Sequence, residues 1–126
     1  MNHRAPDERV DICLMRAYDD PSSDGRTRIL VERLWPRGVS KAQAAIDHWL
    51  RDLAPSTDLR KWYDHIPDRW PEFQRRYAEE LDGNADAVEQ LRAICRAGPV
   101  CFVFAARDTE RNSAVVLKAY LEAEKG

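Results

Sequence analysis

Residues 100–105, Val-Cys-Phe-Val-Phe-Ala, are apolar without interruption, with Pro99 before them and Arg107 just beyond. A run this short and this apolar reads as a strand buried on both faces, as at the centre of a parallel sheet. A second apolar run, Ile29, Leu30 and Val31 with Leu34, stops at Trp35-Pro36. Pro36 has no N–H for a ladder and forces Trp35 into extended or turn geometry, and Gly38 then permits a sharp bend. A strand is therefore expected over 26–35. Another is expected over 10–18, where Val10, Ile12 and Leu14 alternate with Asp11, Cys13 and Met15.

Helical spacing fills the intervals. Ser40 can cap a short helix over 41–45. Ser56 can cap a helix whose Leu59, Trp62, Tyr63 and Ile66 share one face. Asp68 can start the next, with Trp70, Phe73, Tyr77 and Leu81 as its inner stripe. Asn84 can start a third, carrying Val88, Leu91, Ile94 and Cys95 and closed by Gly98-Pro99. Asp108 or Thr109 can cap the last, on which Ala114, Val115, Leu117, Ala119 and Leu121 form a broad face. Residues 46–53 match helical spacing at Ile46, Trp49, Leu50 and Leu53, but a strand there completes a β-α-β step and is the expectation. The order β-β-α-β-α-α-α-β-α implies a small three-layer α/β domain, with a mostly parallel sheet flanked by helices. Residues 1–9 read as a loose polar tail and 10–126 as the single domain.

A chain of 126 residues can bury a real core, and 44% apolar with 33% charged residues argues against disorder. A net charge of −2 excludes a generally basic nucleic-acid coat but leaves room for a local patch. No run approaches the roughly 20 apolar residues of a membrane span, and the first nine residues have no signal-peptide core. Cys13, Cys95 and Cys101 are odd in number and form no Cys-x-x-Cys, so neither a disulfide framework nor a zinc knuckle is suggested. Cys13 and Cys101 read as small buried hydrophobes in a reduced, cytoplasmic setting. The histidines are scattered, and Gly-x-Ser-x-Gly, a phosphate loop and Gly-x-Gly-x-x-Gly are missing. Neither a metal nor a cofactor is expected.

Two constellations stand at strand ends, where ligands bind in open α/β sheets. Arg33, Trp35 and Arg37 combine two guanidiniums with an indole and suit a planar anionic group. The plainer reading makes Trp35 core, Arg37 solvated and Arg33 the partner of a structural acid. Arg107, Asp108, Arg111 and Asn112 stand where the last strand meets the last helix, and free N–H groups there can hold an anion. The plainer reading makes Asp108 a cap and Arg111 a surface residue. In a doubly wound sheet both constellations can face one crevice. His65, after the aromatic helix face, is the best-placed acid–base candidate, with Asp108 beside it.

Across Ile12 to Leu121 the chain resembles the YeaO-like branch of the proteins grouped as domain of unknown function 488. The matching segments are Ile29-Leu-Val-Glu-Arg-Leu-Trp-Pro-Arg-Gly38, Trp49-Leu-Arg-Asp-Leu-Ala-Pro-Ser56, Leu59-Arg-Lys-Trp-Tyr63 with His65, Trp70-Pro-Glu-Phe73 with Tyr77, and Ala105-Ala-Arg-Asp108 with Asn112. Glu32 stands where members of the family usually have Asp. The resemblance implies a small cytosolic α/β domain and no known activity. Other branches look as if they carry Cys-His-Arg near the start of the last helix. This chain has Glu110-Arg111-Asn112 there, so thiol chemistry does not carry over.

The leading expectation is a protein that binds, or binds and turns over, a phosphorylated or nucleotide-like small molecule. Arg33, Arg37 and Arg107 would hold anionic groups and Trp35 would stack. Asp108 and Asn112 would orient polar groups, and Arg111 counts among the ligand-binding residues. Single-stranded RNA is the second candidate partner. A protein-interaction surface built from Trp62, Tyr63, Trp70 and Tyr77 is the third.

Overall fold

The computed structural model describes residues 10–21 and 24–123. The expected tail, residues 1–9, lies outside the described residues. Strand β1 spans Ile12–Arg16 and β2 spans Thr27–Leu30. Helix α1 (Lys41–Ala44) leads to a two-residue strand β3 (His48–Trp49). Helices α2 (Thr57–Tyr63), α3 (Trp70–Asp82) and α4 (Ala85–Ala97) follow. Strand β4 (Val100–Phe104) and helix α5 (Ser113–Ala123) complete the order.

The run at residues 100–104 takes the place its composition demands. All five residues of β4 are buried, and the sheet order β1-β4-β2-β3 puts this strand between two partners. Every pairing is parallel, with Ile12 opposite Val100, Ile29 opposite Phe102, and Ile29 and Leu30 opposite His48 and Trp49. The sheet is a small parallel one flanked by helices, as the element order implied.

Two strands are shorter than expected. The second ends at Leu30, well before Trp35. The Val31 N–H still reaches Val103 O at 3.1 Å, but β4 has only one more residue. The Ala105 N–H then takes the Glu32 carboxylate at 2.9 Å instead of a strand carbonyl. Residues 46–53 give only β3 and then a 3₁₀ turn, Arg51–Leu53. Trp49 and Leu53, which helical spacing would put on one face, pack in opposite layers instead.

Period-two alternation divides the sheet into two faces. Ile12, Ile29, Val31, Val100, Phe102 and Phe104 join the inner residues of α2 to α5 in the larger core. Within it Tyr63 stacks on Phe73 at 4.6 Å and Phe73 on Trp70 at 5.6 Å. Tyr77 is buried and donates to Leu53 O. Each such side chain contributes about 1.5–3 kcal/mol by leaving water. The other face is thinner. Leu30 and Val103 meet Ala17, Val39 and Ala44, with Trp35 and Trp49 packed against them.

Local capping followed the sequence where a serine was available. Ser40 accepts from the Gln43 N–H at 3.0 Å and Ser56 from the Leu59 N–H at 3.1 Å. Asn84 stands at the start of α4, but its amide donates to Asp52 O at 2.9 Å and caps nothing. Helix α3 begins at Trp70 after a 3₁₀ turn, Pro67–Arg69, without a side-chain cap from Asp68. Helix α5 begins at Ser113, three to four residues later than a cap at Asp108 or Thr109 would place it. Among the described residues, no helix is long and apolar enough to cross a membrane.

Candidate functional site

Strands β2 and β4 are neighbours, but the chain leaves them in opposite directions. After β2 it runs to α1 on the thin face, where Val39 and Ala44 are buried. After β4 it runs to α5 on the thick face, where Ala114, Leu117 and Leu121 are buried. A crevice opens where such connections diverge, at the carboxyl ends of the strands. It holds a cavity of about 290 Å³ lined by Glu32, Arg60, Tyr63, His65, Arg111 and Asn112, with Phe73 and Ala105 behind them. A second hollow of about 510 Å³ shares Tyr63 and His65 and adds Arg107 and Asp108.

Glu32 forms the floor. It is the second residue past β2, and the Ala105 N–H binds its Oε2 at 2.9 Å. Burial raises its carboxyl above the ordinary value of 4.5. The Ala105 hydrogen bond and the charges of Arg60 and His65 oppose that rise. Tyr63 and Phe73 supply an aromatic wall, and burial together with nearby Asp108 raises the Tyr63 phenol. Asp64 and His65 end α2 with φ of 48° and 55°. This left-handed pair is uncommon for residues other than glycine and turns His65 into the cavity. His65 is exposed, 6.0 Å from the Tyr63 ring.

The loop between β4 and α5 is built around two caps. The Asp108 carboxylate accepts from the N–H groups of Glu110 and Arg111 at 2.9 and 3.0 Å, and Arg111 Nε donates to it at 3.0 Å. The backbone donors and Arg111 together hold the Asp108 carboxyl below its ordinary value. Asn112 is 4% exposed. Its Oδ1 accepts from the Val115 N–H at 3.0 Å and its Nδ2 donates to Asp108 O at 2.9 Å. Asn112 thus caps α5 while its flank lines the cavity.

Of the residues singled out in the sequence, His65, Arg107, Asp108, Arg111 and Asn112 gather around this crevice. Arg33, Trp35 and Arg37 line neither cavity, so the two constellations do not face one crevice. The bend after Val31 sends Glu32 inward and Arg33 sideways. Arg33 donates to the carbonyls of Pro55 and Ala54 at 3.3 and 3.1 Å. Trp35 packs edge-on against Trp49 at 5.5 Å and donates to Val39 O at 2.6 Å. Arg37 is exposed, and its carbonyl accepts from the Tyr18 hydroxyl at 3.1 Å.

The sequence does not single out Glu32 or Arg60 as site residues, and it points to Tyr63 only as core or as part of a protein-facing surface. One signal for Glu32 was available: an acid directly after three apolar strand residues falls at the strand's carboxyl end. Among the described residues, no group of three or more His, Cys, Asp or Glu side chains is placed to hold a metal ion.

Comparison with known proteins bears on the whole chain. A family model described as "Inactive DUF488-N3 subclade" matches residues 11–125. An uncharacterised protein of Mycobacterium tuberculosis is 42% identical over 106 residues, covering 84% of this chain and 89% of its own length. A Mycobacterium bovis protein matches to the same extent. The uncharacterised protein YeaO of Escherichia coli is 34% identical over 112 residues, covering 89% of this chain and 97% of YeaO. No solved structure matches this chain. With a family model spanning nearly its whole length and YeaO aligned along the same stretch, the chain belongs to the DUF488 family, as a YeaO-like member of the subclade described as inactive.

Proposed function

We propose that the protein binds a purine nucleoside monophosphate, or a close relative of one, in the crevice between β2 and β4 and does not turn it over. One observation carries this reading: a half-buried carboxylate, Glu32, lies beneath an aromatic wall with Arg60 and Arg111 at the same cavity. An ionised carboxylate only accepts hydrogen bonds. Its Oε2 already serves Ala105, so Oε1 is left for adjacent N–H donors such as those on a guanine edge. Tyr63 and Phe73 offer an apolar flank to a ring. Among the described residues the Arg60 guanidinium makes no hydrogen bond or ion pair, and together with Arg111 it suits a phosphate. The start of α5 adds its partial positive charge beside them. The family's description as inactive favours binding over turnover, and His65 then acts as a wall of the site.

The RNA and protein-surface readings have less support. Tyr63 and Tyr77 are buried, while Arg69 and Arg76 cover the Trp62 ring at 5.3 and 4.5 Å.

The test is a thermal-shift titration at low salt with guanosine and adenosine monophosphates, guanosine and ribose 5-phosphate. Saturation at 100 times the dissociation constant adds about 2.7 kcal/mol, a shift of several degrees for a chain of this size. The shift should vanish in Glu32→Gln and Arg111→Ala and persist in Arg37→Ala. Equal shifts in all three variants, or none from any compound with the unmodified chain, would refute the reading.

A further inference from the structure

The thin face of the sheet carries a row of side chains that the crevice does not use. Ile12 and Leu14 turn to the thick core, so Cys13 and Met15 project to the opposite face. Phe102 likewise turns to the thick core, while Cys101 shares its face with Val103. Cys13 on β1 stands directly opposite Cys101 on β4, and Cys101 stands opposite Arg28 on β2. Parallel neighbours run about 4.8 Å apart, inside the roughly 4.4–6.8 Å between Cα atoms that a disulfide spans. Among the described residues the Cys101 thiol reaches only the neighbouring Phe102 carbonyl, at 3.9 Å.

Arg28 makes the row unusual. It is only 5% exposed, and a buried cation normally has a carboxylate partner. Here Nε donates to Ala44 O at 2.9 Å and Nη1 meets Met15 Sδ at 3.2 Å. Nη2 is buried without a hydrogen-bond partner. The neighbouring carboxylate, Asp47, binds the Arg28 backbone N–H at 2.8 Å and not the guanidinium. The buried charge therefore faces sulfur. The two cysteines also differ in access: Cys13 is half-buried, whereas Cys101 is 2% exposed.

We propose that Cys13 and Cys101 are a reversible dithiol–disulfide couple, oxidised by hydroperoxides and reduced by small thiols, with Arg28 assisting closure of the bond. The Cys13 thiolate, the more accessible, attacks a peroxide oxygen. The O–O bond breaks, Cys13 becomes a sulfenic acid and one water leaves after proton uptake. Cys101 then loses its proton and attacks the Cys13 sulfur. The S–S bond forms, the S–O bond breaks and a second water leaves. In balance, two thiols and one hydrogen peroxide give one disulfide and two waters. Two molecules of a small thiol such as glutathione reverse the change and are themselves oxidised to their disulfide. Burial holds Cys101 protonated at rest, at about 12, while the Arg28 charge acts the other way. Arg28 thereby assists the second step. Cys95 lies on α4 in the other layer, where burial pushes it to about 11, and it has no part in the couple. This proposal is independent of any ligand in the crevice.

The experiment is peroxide titration of the fully reduced, folded chain, followed by alkylation, tryptic digestion and mass spectrometry without reduction. The expected product joins peptide 10–16 to peptide 97–107, lacks two hydrogens, and reverts with glutathione, while Cys95 stays alkylated. The link should be absent in Cys13→Ser and Cys101→Ser and unchanged in Cys95→Ser. In Arg28→Gln, checked for fold by circular dichroism, dimedone should trap several-fold more Cys13 sulfenic acid. Should that variant unfold, the link in the unmodified chain decides the matter. Cys13 oxidised without a bond to Cys101, or a link to Cys95 in equal yield, would overturn the proposal.

Discussion

The segments that leave β2 and β4 start side by side at the same edge of the sheet and carry similar residues, yet they are used differently. After β2, Arg33 and Trp35 are committed to carbonyls of the fold, and only Glu32 reaches the crevice. After β4, Asp108 and Asn112 are also committed to backbone groups, as caps, but they hold Arg107 and Arg111 at the crevice while doing so. The difference lies in where each chain goes next. A segment that folds back over the thin face must bury its own aromatics to make a second core. A segment that enters a long helix needs only its N-terminus satisfied, and its charged side chains remain at the mouth of the site.

The sharpest way to separate the two segments is to remove the residue each depends on. Trp35→Ala deletes the indole that packs on Trp49 and the bond to Val39 O. Urea unfolding should show a loss of about 2–4 kcal/mol, with nucleotide binding per folded molecule unchanged. Asn112→Ala removes the cap of α5 and the donor to Asp108 O. It should lose about 1–2 kcal/mol and weaken nucleotide binding too, because it loosens the loop that carries Arg111. An Asn112→Ala chain with full affinity would erase the contrast.

Glu32→Gln should move stability the other way, by roughly 0.5–1 kcal/mol at pH 7, as often happens when a half-buried functional charge is relieved. The sign follows from linkage. Burial raises the folded-state carboxyl above its ordinary 4.5, so the folded chain holds that proton more tightly than the unfolded one. Its contribution is fully present below the unfolded value and is lost as pH rises through the folded one. The advantage of Glu32→Gln over the unmodified chain should therefore grow with pH across that interval, as read from melting curves at stepped pH. A difference constant with pH would mean that the carboxylate is not desolvated. The smallest effect belongs to Arg37→Ala, exposed and outside both cavities. It should lie within about 0.5 kcal/mol and leave nucleotide affinity unaltered.

Most of the fold was legible because it rests on local patterns. The apolar run at 100–104 specified a central strand, Ser40 and Ser56 specified two helix starts, and the stripe Phe73, Tyr77, Leu81 specified the face α3 buries. The ends of β2 and β3 were not legible, since a strand stops where its neighbour stops, and that depends on residues far apart in sequence. The site was half legible for the same reason. Arg107, Arg111 and Asn112 lie in one local loop. Glu32 and Arg60 meet them only through the sheet order, and nothing near Arg33 announces that Ala54 and Pro55 will offer it carbonyls.

The most direct test of the account is amide NMR of the ¹⁵N-labelled chain titrated with guanosine monophosphate. The account expects the largest shifts at Glu32, Ala105, Ala106, Arg111 and Asn112, with Gly38 and Val39 still, and no such response in Glu32→Gln. Shifts centred on Trp35 to Val39, or an unperturbed spectrum at millimolar nucleotide, would contradict it.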